Sequence, residues 1–462
     1  MNLPADFIMR TQPLLKDEWE NFLAALDSDA PVSIRLNKRK NNTNRIAPTD
    51  NVLWSDSAYY MEKRPQFTFD PLFHAGYYYV QEASSMFVGQ AIKQYIKGDV
   101  KVLDLCAAPG GKSTLIADLL SEDSLLVSNE VIRSRANILA ENMTKWGNPN
   151  VVVTNNDPAN IGKLKGFFDI ILVDAPCSGE GMFRKDEGAI SEWSVENVKL
   201  CKERQQRILA DIWPALKPDG ILIYSTCTYN LEENEENVQW IRDELGAEVL
   251  PVDTKEEWGI SPSFMEDMPA YRFFPHKTIG EGFFMAVLRK KEEEDDAKIS
   301  KKNRNNKEKY SKADLPASYK SYMSDKEQFT FYPKGDSWFA FPTKLYHDLF
   351  LLKSHLNIIS EGICLGEFKG KDFIPNQSLV LSNHLNTGAF PTYDVDWKTA
   401  ITYLRKEALV LSDQPKGYIL LTYKDIPLGF VKNIGNRANN LYTQEWRIRS
   451  ANVPNEELRV II

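Results

Sequence analysis

Between about Gly98 and Lys290 the chain repeats one pattern, and that pattern narrows the fold more than any other feature. Short apolar runs occur at Lys101–Leu105, Leu125–Asn129, Val151–Thr154, Phe168–Val173 and Gly220–Tyr224, with helical stretches between them. The stretch Ile132–Trp146 is an example: Ile132, Ala136, Leu139 and Met143 recur at helical spacing, while Arg133 and Asn137 fall on other faces. Short apolar strands alternating with helices predict a parallel, doubly wound α/β sheet. Tyr271–Lys290, with Gly280 and Gly282 between two strand-like runs, reads as a closing β-hairpin.

Open sheets of this kind bind ligands at the carboxyl ends of their strands, so the residues after each run matter most. After the first run comes Asp104-Leu105-Cys106-Ala107-Ala108-Pro109-Gly110-Gly111-Lys112-Ser113. Its small residues let backbone approach a ligand closely, and the helix that follows favours negative charge at its start. The segment nearly matches the phosphate-binding P-loop, and Ile170–Asp174 resembles a Walker-B strand, so a nucleotide hydrolase is a competing reading. Two points weigh against it. Pro109 removes an N–H that a phosphate cradle needs, and Cys106 stands where the first glycine belongs. Glu130 ends the second strand, where an acid takes ribose hydroxyls; equally, it reads as an acid favoured by a helix dipole. Asp157 follows the third strand, where a turn residue is the plainer reading. Asp174-Ala175-Pro176-Cys177-Ser178-Gly179-Glu180-Gly181 follows the fourth strand, and Ser225-Thr226-Cys227-Thr228 the fifth. A single cysteine is most often a small buried hydrophobe. Two of them at one sheet edge, each among small polar residues, fit accessible thiols better. Cys201, on a helix, and Cys364 read as structural, and Cys106 is given no chemistry.

Composition bounds the rest. At 462 residues the chain is long enough for several domains, at roughly 100–200 residues each. Five widely spaced cysteines without a C-x-x-C argue against a disulfide framework and a zinc site, so no metal is expected. No apolar run is long enough to span a membrane, and residues 1–20 lack a signal-peptide core, which predicts a cytoplasmic protein. The net charge of −8 weighs mildly against nucleic acid. Much of it, however, sits in two runs, Glu232–Glu236 and Glu292–Asp296. Basic residues cluster locally: Arg35, Lys38, Arg39 and Lys40 read either as a solvated loop or as a phosphate-contacting edge. Lys163, Lys165, Arg184 and Lys185 are candidates for a basic rim beside the strand ends.

The segments DLCAAPGGKS, NEVIRSR, DAPCSGEGMFRK and YSTCTYNLEENE, in this order on the expected strands, resemble the Sun/Fmu family of RNA cytosine carbon-5 methyltransferases. Gln81-Glu82-Ala83-Ser84-Ser85 is similar to that family's lead into its catalytic domain. The long C-terminal extension is most similar to the bacterial RsmF-type ribosomal RNA enzymes. The resemblance implies a Rossmann-like class I methyltransferase domain at 96–290. An N-terminal RNA-binding α/β extension would precede it at 1–95. A charged linker at 291–318, an intermediate domain at 319–390 and a β-rich PUA-like RNA-binding module at 391–462 would follow. Gly417–Val431 and Leu441–Arg449 are the expected strands of that module.

By the same resemblance, Cys106, Ala107, Ala108, Pro109, Gly110, Gly111 and Lys112 turn around S-adenosyl-L-methionine. Glu130 takes its ribose, Asp157 its adenine amino group, Asp174 its methionine amine and the target base, and Arg135 assists. Cys227 corresponds to the nucleophile and Cys177 to the cysteine that helps resolve the adduct; spacing alone leaves those two roles interchangeable. The implied partner is small-subunit ribosomal RNA, and a monomer is the default expectation. A non-catalytic RNA-binding assembly factor on the same fold is a third reading, against which both thiols argue.

Overall fold

The structure is a computed structural model, and it describes residues 1–40, 50–291, 314–457 and 460. Most of the expected linker, the acidic run Glu292–Asp296 included, lies outside the described residues.

The chain opens with helices Ala5–Leu15 and Trp19–Leu26. A three-stranded antiparallel sheet follows, with β1 (Val32–Leu36) between β2 (Ala58–Met61) and β3 (Tyr78–Val80). The central sheet then forms from β4 (Lys101–Asp104), β5 (Leu125–Asn129), β6 (Val151–Thr154), β7 (Phe168–Asp174) and β8 (Leu216–Thr226). Its parallel order is β6-β5-β4-β7-β8, so the winding direction reverses between β4 and β7. That reversal opens a crevice at the carboxyl edge, the usual ligand position in such sheets. β9 (Ala247–Leu250), β10 (Ser261–Pro262), β11 (Ala270–Phe273) and β12 (Phe283–Lys290) extend it antiparallel, with β12 against β8. The expected hairpin is β11–β12. Alternate residues of these strands enter two separate apolar cores, one on each face: Leu103, Ile171 and Leu222 on one side, Val102, Ile170 and Ile223 on the other. Burial on both faces is why these strands read as continuous apolar runs.

Beyond the described gap lie β13 (Phe329–Lys334), β14 (Ser337–Pro342), β15 (Ile358–Glu361), β16 (Ile363–Lys369) and β17 (Asp372–Pro375). Four of these make their own antiparallel sheet, but β15 pairs with β6 and becomes an edge strand of the central sheet. The last sheet holds β18 (Thr392–Asp394), β19 (Gly417–Tyr423), β20 (Ile426–Asn433) and β21 (Ala438–Asn440). Its core is continuous with that of the N-terminal sheet: Trp397, Ile401 and Tyr442 pack with Ile34, Phe69 and Leu72. The two ends of the chain therefore fold against each other. Among the described residues no helix is long and apolar enough to cross a membrane.

Three expectations change. Gly417–Val431 is two strands, turning at Lys424 and Asp425, both at positive φ, as a tight hairpin demands. Leu441–Arg449 is not a strand. The Asn440 side chain accepts from the Tyr442 N–H (2.9 Å), which ends β21, and a 3-10 turn follows at Gln444–Trp446. Ile132 is half exposed, just ahead of the helix Arg133–Trp146, whose Ala136, Leu139 and Met143 are buried as expected. Within the acidic run Glu232–Glu236, Glu233 and Glu235 are fully buried, and Glu235 pairs with the buried Arg272.

Within the basic stretch, Arg35 and Lys40 are drawn into the protein, while Lys38 stays exposed. Arg35 is fully buried and bonds to Asp118 (2.6 Å), Thr114 (2.6 Å) and Gln81 (2.9 Å). Lys40 donates to the carbonyls of Ala75 and Lys145, and burial pushes its pKa down to about 7. Arg39 pairs with Glu122 and Lys38 with Asp56. Arg35, Arg39 and Lys40 fasten the N-terminal sheet to its neighbours.

Candidate active site

A cleft of ≈ 380 Å³ lies at the reversal between β4 and β7, within the roughly 300–1,000 Å³ of small-molecule sites. Its wall contains Asp104 from the end of β4, Cys106, Ala107, Ala108 and Pro109 from the turn after it, Gly111 and Lys112 from the start of the next helix, Asp174 from β7 and Cys227 from the loop after β8. The N-terminal segment adds Tyr79, Gln81, Glu82 and Ser85, and the end of the hairpin adds Glu281, Gly282 and Phe283. Gly110 turns the chain at φ +119°, and a Cβ there would press on Leu139 at 3.3 Å. A side chain at that position would be strained in both respects.

The electrostatics centre on three groups. Lys112 Nζ donates to Asp174 Oδ2 (2.7 Å), and Ser225 Oγ donates to Asp174 Oδ1 (2.8 Å). Burial works against the Lys112 charge, but Asp174 outweighs it and its pKa is raised. Asp104 is fully buried; its Oδ2 accepts from Ser113, while Oδ1 has no hydrogen-bond partner among the described residues. Burial pushes the Asp104 carboxyl up to about 7. Cys106 is likewise pushed up by burial, which keeps it a thiol.

Registry brings the two remaining cysteines together. Asp174 on β7 pairs with Ser225 on β8, so Cys177 and Cys227 leave the sheet side by side, with their sulfurs 3.3 Å apart. The contact with Cys227, and then burial, pushes the Cys177 thiol well above its usual range. Cys201 is buried on its helix, and Cys364 lies on β16.

The other expected residues are not among those lining the cleft. Glu130 is buried; it accepts from the Ile132 N–H (2.9 Å) and lies 3.3 Å from Arg135. Arg135 in turn donates to the Ala108 carbonyl (2.9 Å), fastening the turn. Asp157 is exposed and caps a short helix by accepting from Ala159 N (3.0 Å). Of the expected rim, Arg184 is drawn inward onto Glu281 (3.1 Å), with Lys185 beside it, while Lys163 bonds Asn160. The role of Asp104 as a buried wall acid escaped the sequence reading, although its place at a strand end was the available signal. So did the contribution of Tyr79, Glu281 and Phe283, which come from distant segments.

The reversed parallel sheet, the small-residue turn at its crevice and the acid just after β5 define a Rossmann-like methyltransferase domain. Comparisons with known proteins agree. The family profile described as "16S rRNA methyltransferase RsmB/F" matches residues 94–289, "N-terminal domain of 16S rRNA methyltransferase RsmF" residues 3–83, and "Methyltransferase RsmF PUA domain" residues 390–448. The chain is 30% identical over 383 residues to the ribosomal RNA small subunit methyltransferase F of Enterobacter sp. (strain 638), covering 80% of this chain and 78% of that one. It is 28% identical over 485 residues, 98% of each chain, to the protein of the same name from Photobacterium profundum. A solved methyltransferase homolog protein from Pyrococcus horikoshii superposes with TM-score 0.54 at 30% identity, over 62% of this chain and 94% of that one. This chain belongs to the ribosomal RNA small subunit methyltransferase F family.

Proposed function

We propose that the chain transfers a methyl group from S-adenosyl-L-methionine to carbon 5 of a cytosine in small-subunit ribosomal RNA, through a covalent bond between Cys227 and the base. The observation that carries this reading is the pair of thiols 3.3 Å apart at the cleft, one of them on its wall.

The residues present fit the cofactor. Asp104 offers a buried carboxylate oxygen in need of a donor, which suits an ammonium group. Glu130 offers a buried carboxylate at the end of the adjoining strand, where ribose hydroxyls are taken. The Cys106–Lys112 turn brings backbone against the cavity. Asp157 stands after β6 for the adenine amino group. S-adenosyl-L-methionine, when bound, supplies an electrophilic methyl group.

Carbon 5 of cytosine is a poor nucleophile, and a thiol solves that problem. The Cys227 thiolate adds to carbon 6, and the electrons of the carbon 5–carbon 6 double bond shift to carbon 5, which would take the methyl group as its bond to the donor sulfur breaks and S-adenosylhomocysteine is left behind. Asp174, held by Lys112 and Ser225, takes the N3 and amino edge of the ring during addition. A base, Cys177 or a water, then removes the carbon 5 proton. The released electron pair re-forms the double bond and expels the Cys227 sulfur. The base must leave its stack to reach the cleft, which favours single-stranded or opened RNA. The N-terminal segment 1–95 and the module 391–462, packed on one core, form the RNA-holding part.

Covalent trapping tests this. Wild type, Cys177→Ala and Cys227→Ala are each mixed with small-subunit ribosomal RNA and S-adenosyl-L-methionine, then run on a denaturing gel. The expected result is an RNA-shifted band for Cys177→Ala and none for Cys227→Ala. The opposite pattern exchanges the two roles. A lack of adduct and of methyl transfer in all three, on naked RNA and on subunits alike, overturns the proposal.

A further inference from the structure

Beneath the two cysteines lies a polar cluster that the reaction as described does not use. The loop carrying Cys177 contributes Glu180, which accepts from the backbone N–H groups of Tyr229 (2.7 Å) and Asn230 (2.9 Å) in the loop carrying Cys227. That second loop contributes Glu233, which accepts from the backbone N–H of Ser178 (3.0 Å), next to Cys177. Each carboxylate thus grips the backbone of the other cysteine's loop. The Asn230 side-chain amide joins them, donating to Glu233 (2.8 Å) and Glu180 (3.0 Å). Ser178 and Thr228, the residues that follow the two cysteines, touch through their hydroxyls (2.9 Å). Gly181 N donates to the Cys227 carbonyl (2.9 Å), and a Cβ on Gly181 would meet that carbonyl oxygen at the same distance.

Glu180 and Glu233 are 1% and 0% exposed, and two buried carboxylates are an expensive way to close a loop. Simple packing would not need them. Their acceptor-only chemistry matches the task, because every group named above that contacts either carboxylate is a donor. Trp193 Nε1 (2.9 Å) and Gln205 Nε2 (2.7 Å) supply two more donors from the helical segment outside both loops.

We propose that Glu180 and Glu233 are positioning residues for the reaction: a reciprocal clasp that fixes Cys177 at the reach of Cys227, so that the proton on carbon 5 is removed while the base is still bound. This rests on the covalent reading above. The clasp touches neither cofactor nor base; it acts through the two thiols.

Glu233→Gln keeps the shape but turns one acceptor into a donor facing Asn230 or Gln205. Thr228→Val removes the hydroxyl contact with no change of charge and serves if the first variant folds poorly. Full-length variants are compared with wild type and Cys177→Ala in three assays: release of the RNA adduct in a single turnover, binding of S-adenosyl-L-methionine, and the rate at which a diazene oxidant joins the thiols without RNA. In that last reaction the two thiols give a disulfide, and the oxidant takes two electrons and two protons. For Glu233→Gln, release and disulfide formation should both slow about tenfold, the scale of one buried hydrogen bond left unmade. Thr228→Val should move both rates the same way by less. Cofactor affinity should stay within about twofold, whereas general loosening of the domain would weaken it too. Release and disulfide rates that both match wild type overturn the clasp. A slowed disulfide rate, with no adduct even in Cys177→Ala, overturns the covalent reading while the clasp stands.

Discussion

Arg35→Met is the sharpest test of how the N-terminal sheet is joined to the catalytic domain. The Arg35 guanidinium is wholly buried. It bonds Asp118 on the helix after the cofactor turn, Thr114 on that same helix and Gln81 on the cleft wall, and its carbon lies 4.7 Å from the centre of the Trp146 ring. Methionine keeps the stem and its packing but leaves Asp118 with the Trp146 N–H (2.9 Å) as its remaining hydrogen bond among those described. Removing one partner of a buried pair costs about 3–5 kcal/mol. The cost depends on pH. Burial already holds the Asp118 carboxyl up at about 6, above its ordinary 3.8, even with Arg35 pulling it down. Between those values the folded chain holds the proton more tightly than the unfolded chain, so stability falls as pH rises. Without Arg35 the carboxyl rises further, and that fall continues beyond pH 6. The variant's deficit in urea unfolding should therefore be larger at pH 8 than at pH 5. Arg35→Met/Asp118→Leu, which removes both charges, should recover at least half of it. A deficit under about 1 kcal/mol at pH 8 would refute the buried-pair argument. So would unchanged stability with lost RNA affinity, which is the behaviour of a phosphate contact.

Two further outcomes follow from buried titrating groups. His74 sits where the two ends of the chain meet, against the Thr68 carbonyl (2.8 Å) and near the Tyr442 hydroxyl (3.4 Å). Burial, and then Lys145, pushes its pKa down to about 3 from 6.5. The unfolded chain therefore takes the proton first, and His74 should contribute a loss of about 1.4 kcal/mol per pH unit below 6.5, opposite in sign to the contribution of Asp118. His74→Phe should flatten that slope, and parallel slopes in urea titrations of the two proteins would count against it. Asp104, at about 7, must lose its proton to face an ammonium group. Binding of S-adenosyl-L-methionine should weaken as pH falls through 7 and release a proton near neutrality. Calorimetry in buffers of different ionisation enthalpy reads this directly, and Asp104→Asn should abolish the buffer dependence.

The five parallel strands of the central sheet were legible because their middle residues are buried on both faces and so are apolar. The motif residues were legible because they follow those strands directly. Reading charge was harder. Arg35 and Lys40 stand in a basic run, and Glu233 and Glu235 in an acidic one, yet Arg35, Glu233 and Glu235 are interior, Lys40 is half-buried, and all four have partners far along the chain. Linear charge clustering cannot tell a solvated run from one whose members alternate between inside and outside. The false strand Leu441–Arg449 failed for a related reason: Tyr442 and Ile448 are buried without a ladder, because the Asn440 side chain had already ended the strand.

By itself, then, the sequence determined the central parallel strands and the residues at their edge, since local period and strand-end composition carry that information; the chemistry proposed for those residues comes from the resemblance of four ordered motifs to a family. Only the tertiary structure decided that β15 would extend the central sheet, that the two chain ends would share one core, and that Cys177 would stand 3.3 Å from Cys227 above a clasp of two carboxylates. These are pairings between segments up to hundreds of residues apart. They are selected by register and by the need to give every buried donor an acceptor, and neither condition can be read from a stretch of chain taken alone.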